Sequence, residues 1–182
     1  MAQPSFRKID ERVVHDGGFI KVAVSTFETS SGARFTREVV RHPGAVGVVA
    51  VDGEDVVLVR QYRASLERDL LEIPAGKLDV DGEPALEAAV RELEEEAGLR
   101  PVGPVERLTR YVVAPGMSDE WFEMFLVRAV EPCDARPQGH EEEAMTVERV
   151  PLASVPALIA DGTIEDAKTI IGLSLARERL SS

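Results

Sequence analysis

The chain has 182 residues, 44% hydrophobic and 30% charged, with a formal net charge of −12. That length suits one well-cored domain with a small subdomain, and the acidic balance excludes a non-specific nucleic-acid binder, which needs basic residues to displace phosphate counterions. The apolar runs Val46–Val51 and Val56–Val59 are strand-sized, the first residues carry no apolar signal stretch, and Cys133 stands alone, so a cytoplasmic protein without disulfides or a membrane partner is expected.

Val13–His15, Phe19–Thr29 and Arg34–His42 read as extended segments, divided by Gly17-Gly18 and Ser30-Ser31-Gly32. Lys21-Val22-Ala23-Val24-Ser25 alternates as a half-exposed antiparallel strand does. Residues 1–43 therefore form an N-terminal antiparallel β-meander, and His42-Pro43-Gly44 punctuates the chain before the main domain, residues 44–182. Val46–Val51 and Val56–Gln61 are buried strands joined by the hairpin signal Asp52-Gly53-Glu54-Asp55. Asp69–Ile73 is a further strand, ending at Pro74-Ala75-Gly76. A helix follows, with Pro84 in its first turn and Gly98 as its stop. Glu106–Val113 and Trp121–Val130 are strands flanking the loop Ala114–Glu120, and Arg136–Glu143 is a polar loop. The chain closes with a strand, Val147–Val150, and two helices, Leu152–Ala160 and Ile164–Leu180, separated by Asp161-Gly162-Thr163. The architecture is α+β, with a mixed sheet packed between helices.

The helix after Pro84 carries the chemistry. Glu92, Glu95 and Glu96 stand at i, i+3 and i+4, within an arc of roughly 100°. Leu86, Val90, Leu93 and Ala97 form an apolar stripe whose centre is expected roughly 140° around the helix. Concentrating three carboxylates on one face costs repulsion, which a hard divalent cation with oxygen ligands offsets.

Arg91-Glu92-Leu93-Glu94-Glu95-Glu96-Ala97-Gly98-Leu99 resembles the second half of the Nudix box of nucleoside-diphosphate-X hydrolases at every fixed position, and Glu83 stands at the expected spacing before Arg91. The first half departs: six residues separate Gly76 from Glu83, one more than the pattern. The likeness extends to Arg37–Val46, to Val59-Arg60-Gln61-Tyr62-Arg63 and to Leu71-Glu72-Ile73-Pro74-Ala75-Gly76. It continues through Ala114–Glu120, Glu141–Met145 and Glu165–Thr169, and it is closest to the ADP-ribose pyrophosphatase group, whose members carry a proline where Pro115 stands.

This resemblance implies a Nudix α/β/α sandwich and Mg²⁺-dependent hydrolysis of ADP-ribose to AMP and ribose 5-phosphate, with Mn²⁺ as an alternative ion. Another nucleotide sugar or dinucleotide, such as GDP-mannose or NADH, remains an alternative substrate, and a non-catalytic nucleotide-sensing module is a rival of another class. The metal would sit on Glu92 and Glu96, with Glu95 supporting and the Ala75 carbonyl adding a ligand, while Arg91 orients the carboxylates and Glu94 faces solvent. The general base would come from the late loop, as Glu142 or Glu143. Arg63 is similar to the arginine placed on the substrate phosphates. Arg60 is either a second such group or a surface ion pair, and Glu72 belongs either to the site or to a strand-end salt bridge. Pro115 and Glu120 are candidates for the substrate pocket, and Phe19 and Phe27 either stack on adenine or pack in the core. Relatives with such an N-terminal extension form exchanged homodimers, so a homodimer is expected.

Overall fold

The structure, a computed structural model, describes residues 5–134 and 144–181. The chain divides into two compact units: the residues up to Gly44 with Tyr111–Phe122, and Ala45–Arg110 with the residues from Glu123 onward.

In the first unit β1 (Phe6–Asp16), β2 (Lys21–Thr29) and β3 (Arg34–Arg41) make an antiparallel sheet in the order β1-β2-β3. The first strand is much longer than Val13–His15. Its Arg7–Arg12 stretch is too charged to read as a strand, yet it is held to β2 by a continuous ladder with two register shifts. Side chains close the same pairing, as where Ser25 Oγ donates to Glu11 at 2.6 Å. Phe27 packs face to face on Phe35 at 5.5 Å, with Phe6 edge-on to Phe35 and the Arg37 guanidinium 4.7 Å from its ring.

The second unit is built on β4 (Ala45–Asp52) and β5 (Asp55–Arg63), a hairpin turning at Gly53 with φ 67°. Its sheet runs in the order β12-β5-β4-β10-β9, where β9 is Val105–Val112, β10 Trp121–Val127 and β12 Thr146–Pro151. Two strands lie off this path: β6 (Arg68–Glu72) beside β5 and β7 (Ala75–Lys77) beside β4. A separate pair joins β8 (Leu99–Pro101) to β11 (Val130–Pro132). The helices are α1 (Ala85–Ala97), α2 (Val155–Ala160) and α3 (Ala167–Ser181).

Residues Ala45–Val51 are all buried, as befits a strand covered on both faces. Val46, Val48 and Ala50 pack with Ala88, Ala89 and Leu93 of α1. On the alternate face Val49 approaches α3, where a methyl on Gly172 would stand 3.0 Å from Val49 Cγ2 and Met124 Sδ. Helix–sheet–helix layering of this kind is the expected α/β/α sandwich with its mixed sheet and separate N-terminal antiparallel sheet.

Three helix readings change. The helix expected from Leu152 begins at Val155, after a turn in which the Ser154 N–H donates to the Pro151 carbonyl at 2.8 Å. The last helix starts at Ala167 rather than Ile164, because the Asp166 carboxylate accepts the Thr169 N–H at 3.0 Å and caps the helix there. The buried stripe of α1 is also rotated from the expected one: Ala88, Ala89, Glu92 and Leu93 are buried, whereas Leu86 is 43% exposed. Small alanines let the helix lie close to β4, and that brings Glu92 onto the edge of the core.

Candidate active site

Helix α1 begins after Pro84, whose extended backbone precedes the first turn, and ends at Gly98 in the left-handed region, φ 61° and ψ 34°. The Gly98 N–H donates to the Glu94 carbonyl, closing the last turn as glycine permits. Opposite the helix, β7 is pinned to β4 by the pairs Ala45–Lys77, Val46–Gly76 and Gly47–Ala75. The Pro74 carbonyl accepts the Val48 N–H at 3.0 Å.

These two elements meet through side-chain carboxylates. Glu92 lies so close over Gly76 that a Cβ there would be 2.1 Å from its carboxyl carbon and 2.2–2.3 Å from its oxygens. Glycine is required at this point for close approach rather than for an unusual backbone angle. One turn on, Glu96 Oε2 accepts the Ala75 N–H at 2.9 Å. Arg91 gathers the rest. Its Nε and Nη2 donate to the two Glu83 oxygens at 3.0 and 3.1 Å, and its Nη1 donates to Glu92 Oε1 and Glu95 Oε2, both at 2.8 Å. Glu83 is the largest influence raising the Arg91 pKa, against a smaller effect of burial. The additional residue between Gly76 and Glu83 therefore leaves Glu83 in reach of Arg91. Glu94 is half-buried rather than fully solvated.

The atoms this group offers to a metal are carboxylate oxygens, which suit a hard divalent ion. Among the described residues no three His, Cys, Asp or Glu side chains converge as a self-sufficient metal site. Arg91 draws Glu92 and Glu95 toward itself, while Glu96 turns to the backbone of Ala75. An ion that takes one or two carboxylates and completes its shell with water and substrate phosphates fits such a set.

A second charged cluster lies in the same unit. Arg63, at the end of β5, clamps Glu72 of β6 with Nε at 2.6 Å and Nη2 at 2.5 Å. Lys168 of α3 donates to the same Glu72 carboxylate and reaches Asp166 at 3.0 Å. The Glu72 side chain is 1% exposed. Burial is the largest single influence and pushes its carboxyl up, but Arg63 and Lys168 together outweigh it and hold the pKa below the ordinary carboxylate range. Glu72 in turn is the main cause of the raised Arg63 pKa, with Glu96 of α1 adding to it at longer range. Lys168 and Asp166 did not stand out as charge partners in the sequence; Glu72 and Lys168 are 96 residues apart. Arg60 is held by Glu148 on the neighbouring β12, with Nε at 2.6 Å and Nη2 at 3.3 Å.

In the first unit, the loop containing Pro115 is tied to β3: the Val40 N–H donates to the Met117 carbonyl at 2.8 Å and Ser118 Oγ to the Val40 carbonyl at 3.1 Å. Asp119 accepts from Arg41 at 2.9 Å and from the His42 N–H at 3.0 Å. His42 Nδ1 accepts the Gly44 N–H at 3.1 Å, with Glu120 4.0 Å away. Phe19 is 55% exposed and sits edge-on to the His42 ring at 5.8 Å, so it is not a core residue. Phe27 is part of the aromatic stack. Glu142 and Glu143, with His140 and Glu141 beside them, lie outside the described residues.

A helix whose carboxylates face a glycine-bearing loop, with an arginine gathering the acids, is the arrangement of the Nudix hydrolases. The NUDIX domain model matches residues 41–171, and the chain belongs to this family, whose members generally use divalent metals. The ADP-ribose pyrophosphatase of Mycobacterium tuberculosis is 37% identical over 175 residues, 95% of this chain and 84% of its own. The ADP-ribose pyrophosphatase of Bacillus subtilis is 35% identical over 164 residues, 90% of this chain and 88% of its own. A crystal structure of an ADP compounds hydrolase superposes with a TM-score of 0.85 at 25% identity, covering 100% of this chain and 97% of that one. Among the described residues no helix is long and apolar enough to cross a membrane.

Proposed function

We propose that this protein is a cytoplasmic, homodimeric enzyme that hydrolyses the pyrophosphate bond of ADP-ribose to AMP and ribose 5-phosphate, with Mg²⁺ as its ion and Mn²⁺ able to replace it. The observation that carries the proposal is the close seating of Glu92 and Glu96 against the Ala75-Gly76 backbone. The pyrophosphatase relatives support a nucleotide-sugar substrate, and their being ADP-ribose pyrophosphatases supports ADP-ribose within that class.

Glu92 and Glu96, with Glu95 and the Ala75 carbonyl, are the groups that would hold the ion. When bound, such an ion neutralises phosphate oxygens and makes a coordinated water more acidic. Arg91 offsets the repulsion among the carboxylates it gathers and holds them turned, a task its planar fork suits better than a lysine would. Arg63 spends Nε and Nη2 on Glu72, which directs its remaining guanidinium edge to a phosphate oxygen. Arg60, shared with Glu148, is the weaker phosphate ligand. Glu142 or Glu143 takes the proton of the attacking water. Residues 1–43 serve dimer formation and substrate contact, with residues 44–182 as the hydrolase domain. Phe19, Pro115 and Glu120 contact the nucleoside and ribose. Pro115 does so by shape, because it has no N–H to donate.

The test offers purified protein and Mg²⁺ a panel of ADP-ribose, GDP-mannose and NADH, with nucleoside monophosphate release quantified by chromatography. ADP-ribose should give the highest kcat/KM. No turnover of any compound would overturn the enzyme reading, and preference for GDP-mannose would overturn the substrate assignment.

A further inference from the structure

Lys168 is 16% exposed, yet its ammonium points inward to a glutamate that is almost wholly buried. Arg63 already contacts both Glu72 oxygens, and Lys168 adds a further donor to the same carboxylate. A buried carboxylate with one bidentate arginine forms a neutral pair, and such a pair has little remaining attraction for an incoming anion. Lys168 shares Glu72 with Arg63 and so leaves Arg63 less fully neutralised by that carboxylate, although Asp166 beside Lys168 keeps the four groups balanced in formal charge. Lys168 is itself fixed from behind: it meets Asp166 at 3.0 Å, and Asp166 is anchored by the Thr169 N–H at 3.0 Å and the Thr169 hydroxyl at 2.6 Å. Thr169 Oγ1 in turn accepts the Ile73 N–H at 2.9 Å, one residue beyond Glu72. The first turn of α3 is thus tied both to the backbone and to the carboxylate that orients Arg63.

We propose that Lys168 is a positioning residue for diphosphate binding, acting through Glu72 to set the direction and the available charge of the Arg63 guanidinium. This rests on the reading of Arg63 as a phosphate ligand. Lys168 touches no substrate. Its loss leaves Glu72 wholly to Arg63, removes one positive charge from the cluster, and weakens phosphate binding on both counts. Chemistry at the Glu92–Glu96 edge is left in place, so the effect falls on KM and on diphosphate affinity rather than on kcat.

The experiment is a double-mutant cycle read by calorimetric titration with ADP in the presence of Mg²⁺, supplemented by steady-state kinetics on ADP-ribose. Lys168→Met should weaken ADP binding about five-fold and raise KM similarly, with kcat within two-fold. In an Arg63→Ala background the same change should weaken ADP binding by less than about two-fold, because the residue through which it acts is gone. Lys168→Arg should restore affinity to within about two-fold of the parent. Circular dichroism checks the fold, and Lys168→Gln takes the place of the Met variant where that one does not fold. Equal losses in the two backgrounds, no loss in the parent, or no ADP binding by the parent would each overturn the proposal. Failure of the parent to turn over ADP-ribose would overturn the substrate reading instead, while the ADP cycle still reports on Lys168.

Discussion

Replacing Gly76 with alanine puts a methyl group where the Glu92 carboxylate now lies. The new Cβ would stand 2.1–2.3 Å from the three carboxyl atoms, whereas ordinary contact begins near 3.4 Å, so the carboxylate must retreat by roughly 1 Å. The obstructing atoms are the end of a flexible side chain, so the fold absorbs the change by swinging Glu92 away rather than by breaking β7 from β4. The backbone of Gly76 is not in the left-handed region, and alanine reduces the freedom of the unfolded chain. The net stability cost should therefore stay below about 1 kcal/mol. Function is less forgiving: a 1 Å misplacement of a group that positions the reaction costs about 100-fold in rate, or about 2.7 kcal/mol of barrier. Steady-state kinetics on ADP-ribose at saturating Mg²⁺, paired with a thermal melt, separates the two effects. A Gly76→Ala protein with the parent kcat would refute the view that Glu92 must occupy this place. A large fall in Tm would refute the view that only a side chain yields.

Arg91→Lys replaces a fork serving three carboxylates by a point charge, and kcat should fall about ten-fold or more with the melting temperature little changed; unchanged kinetics would remove Arg91 from the orienting role. Glu72 should make stability depend on pH in a defined direction. Its folded pKa lies below the ordinary 4.5, so its contribution is fully present above about pH 4.5 and drains away as pH falls through the folded value. Urea titrations of the parent and of Glu72→Gln should accordingly differ most near pH 7 and converge in acid, and a gap that widens on acidification would contradict the assigned sign. Gly172→Val would drive a branched side chain into Met124 and Val49, where even a first methyl stands 3.0 Å away. A loss of about 1–3 kcal/mol, or roughly 3–10 °C in Tm, is expected by calorimetry, and a neutral result would mean that α3 can lift from the sheet without cost.

The parts of the fold legible in the sequence are those whose signals are local. Pro84 and Gly98 bracket α1 because proline suits a helix start and glycine the left-handed stop, and both ends lie where those residues place them. The Asp52–Asp55 hairpin was equally readable from the glycine that its turn requires. The three-residue strands Ala75–Lys77, Leu99–Pro101 and Val130–Pro132 were not, since each exists only through pairing with a distant neighbour and is too short to show alternation. Within the site, the acids of α1 announce themselves by spacing, but the seating of Glu92 on Gly76 depends on how closely the alanine face lets the helix approach β4. The Arg63–Glu72–Lys168 cluster joins two strands to a helix near the end of the chain, and no periodicity carries such information.

Glu96→Gln tests the central claim most directly. The amide keeps the size of the side chain and can still accept the Ala75 N–H, so the fold and Tm should be preserved, while the anionic oxygen needed beside the ion is lost. Turnover of ADP-ribose, followed by AMP release across a Mg²⁺ titration, should fall by about 100-fold or more in kcat and demand a higher metal concentration. A Glu96→Gln protein that matches the parent in kcat and in metal requirement would contradict the assignment of this helix edge as the hydrolytic centre.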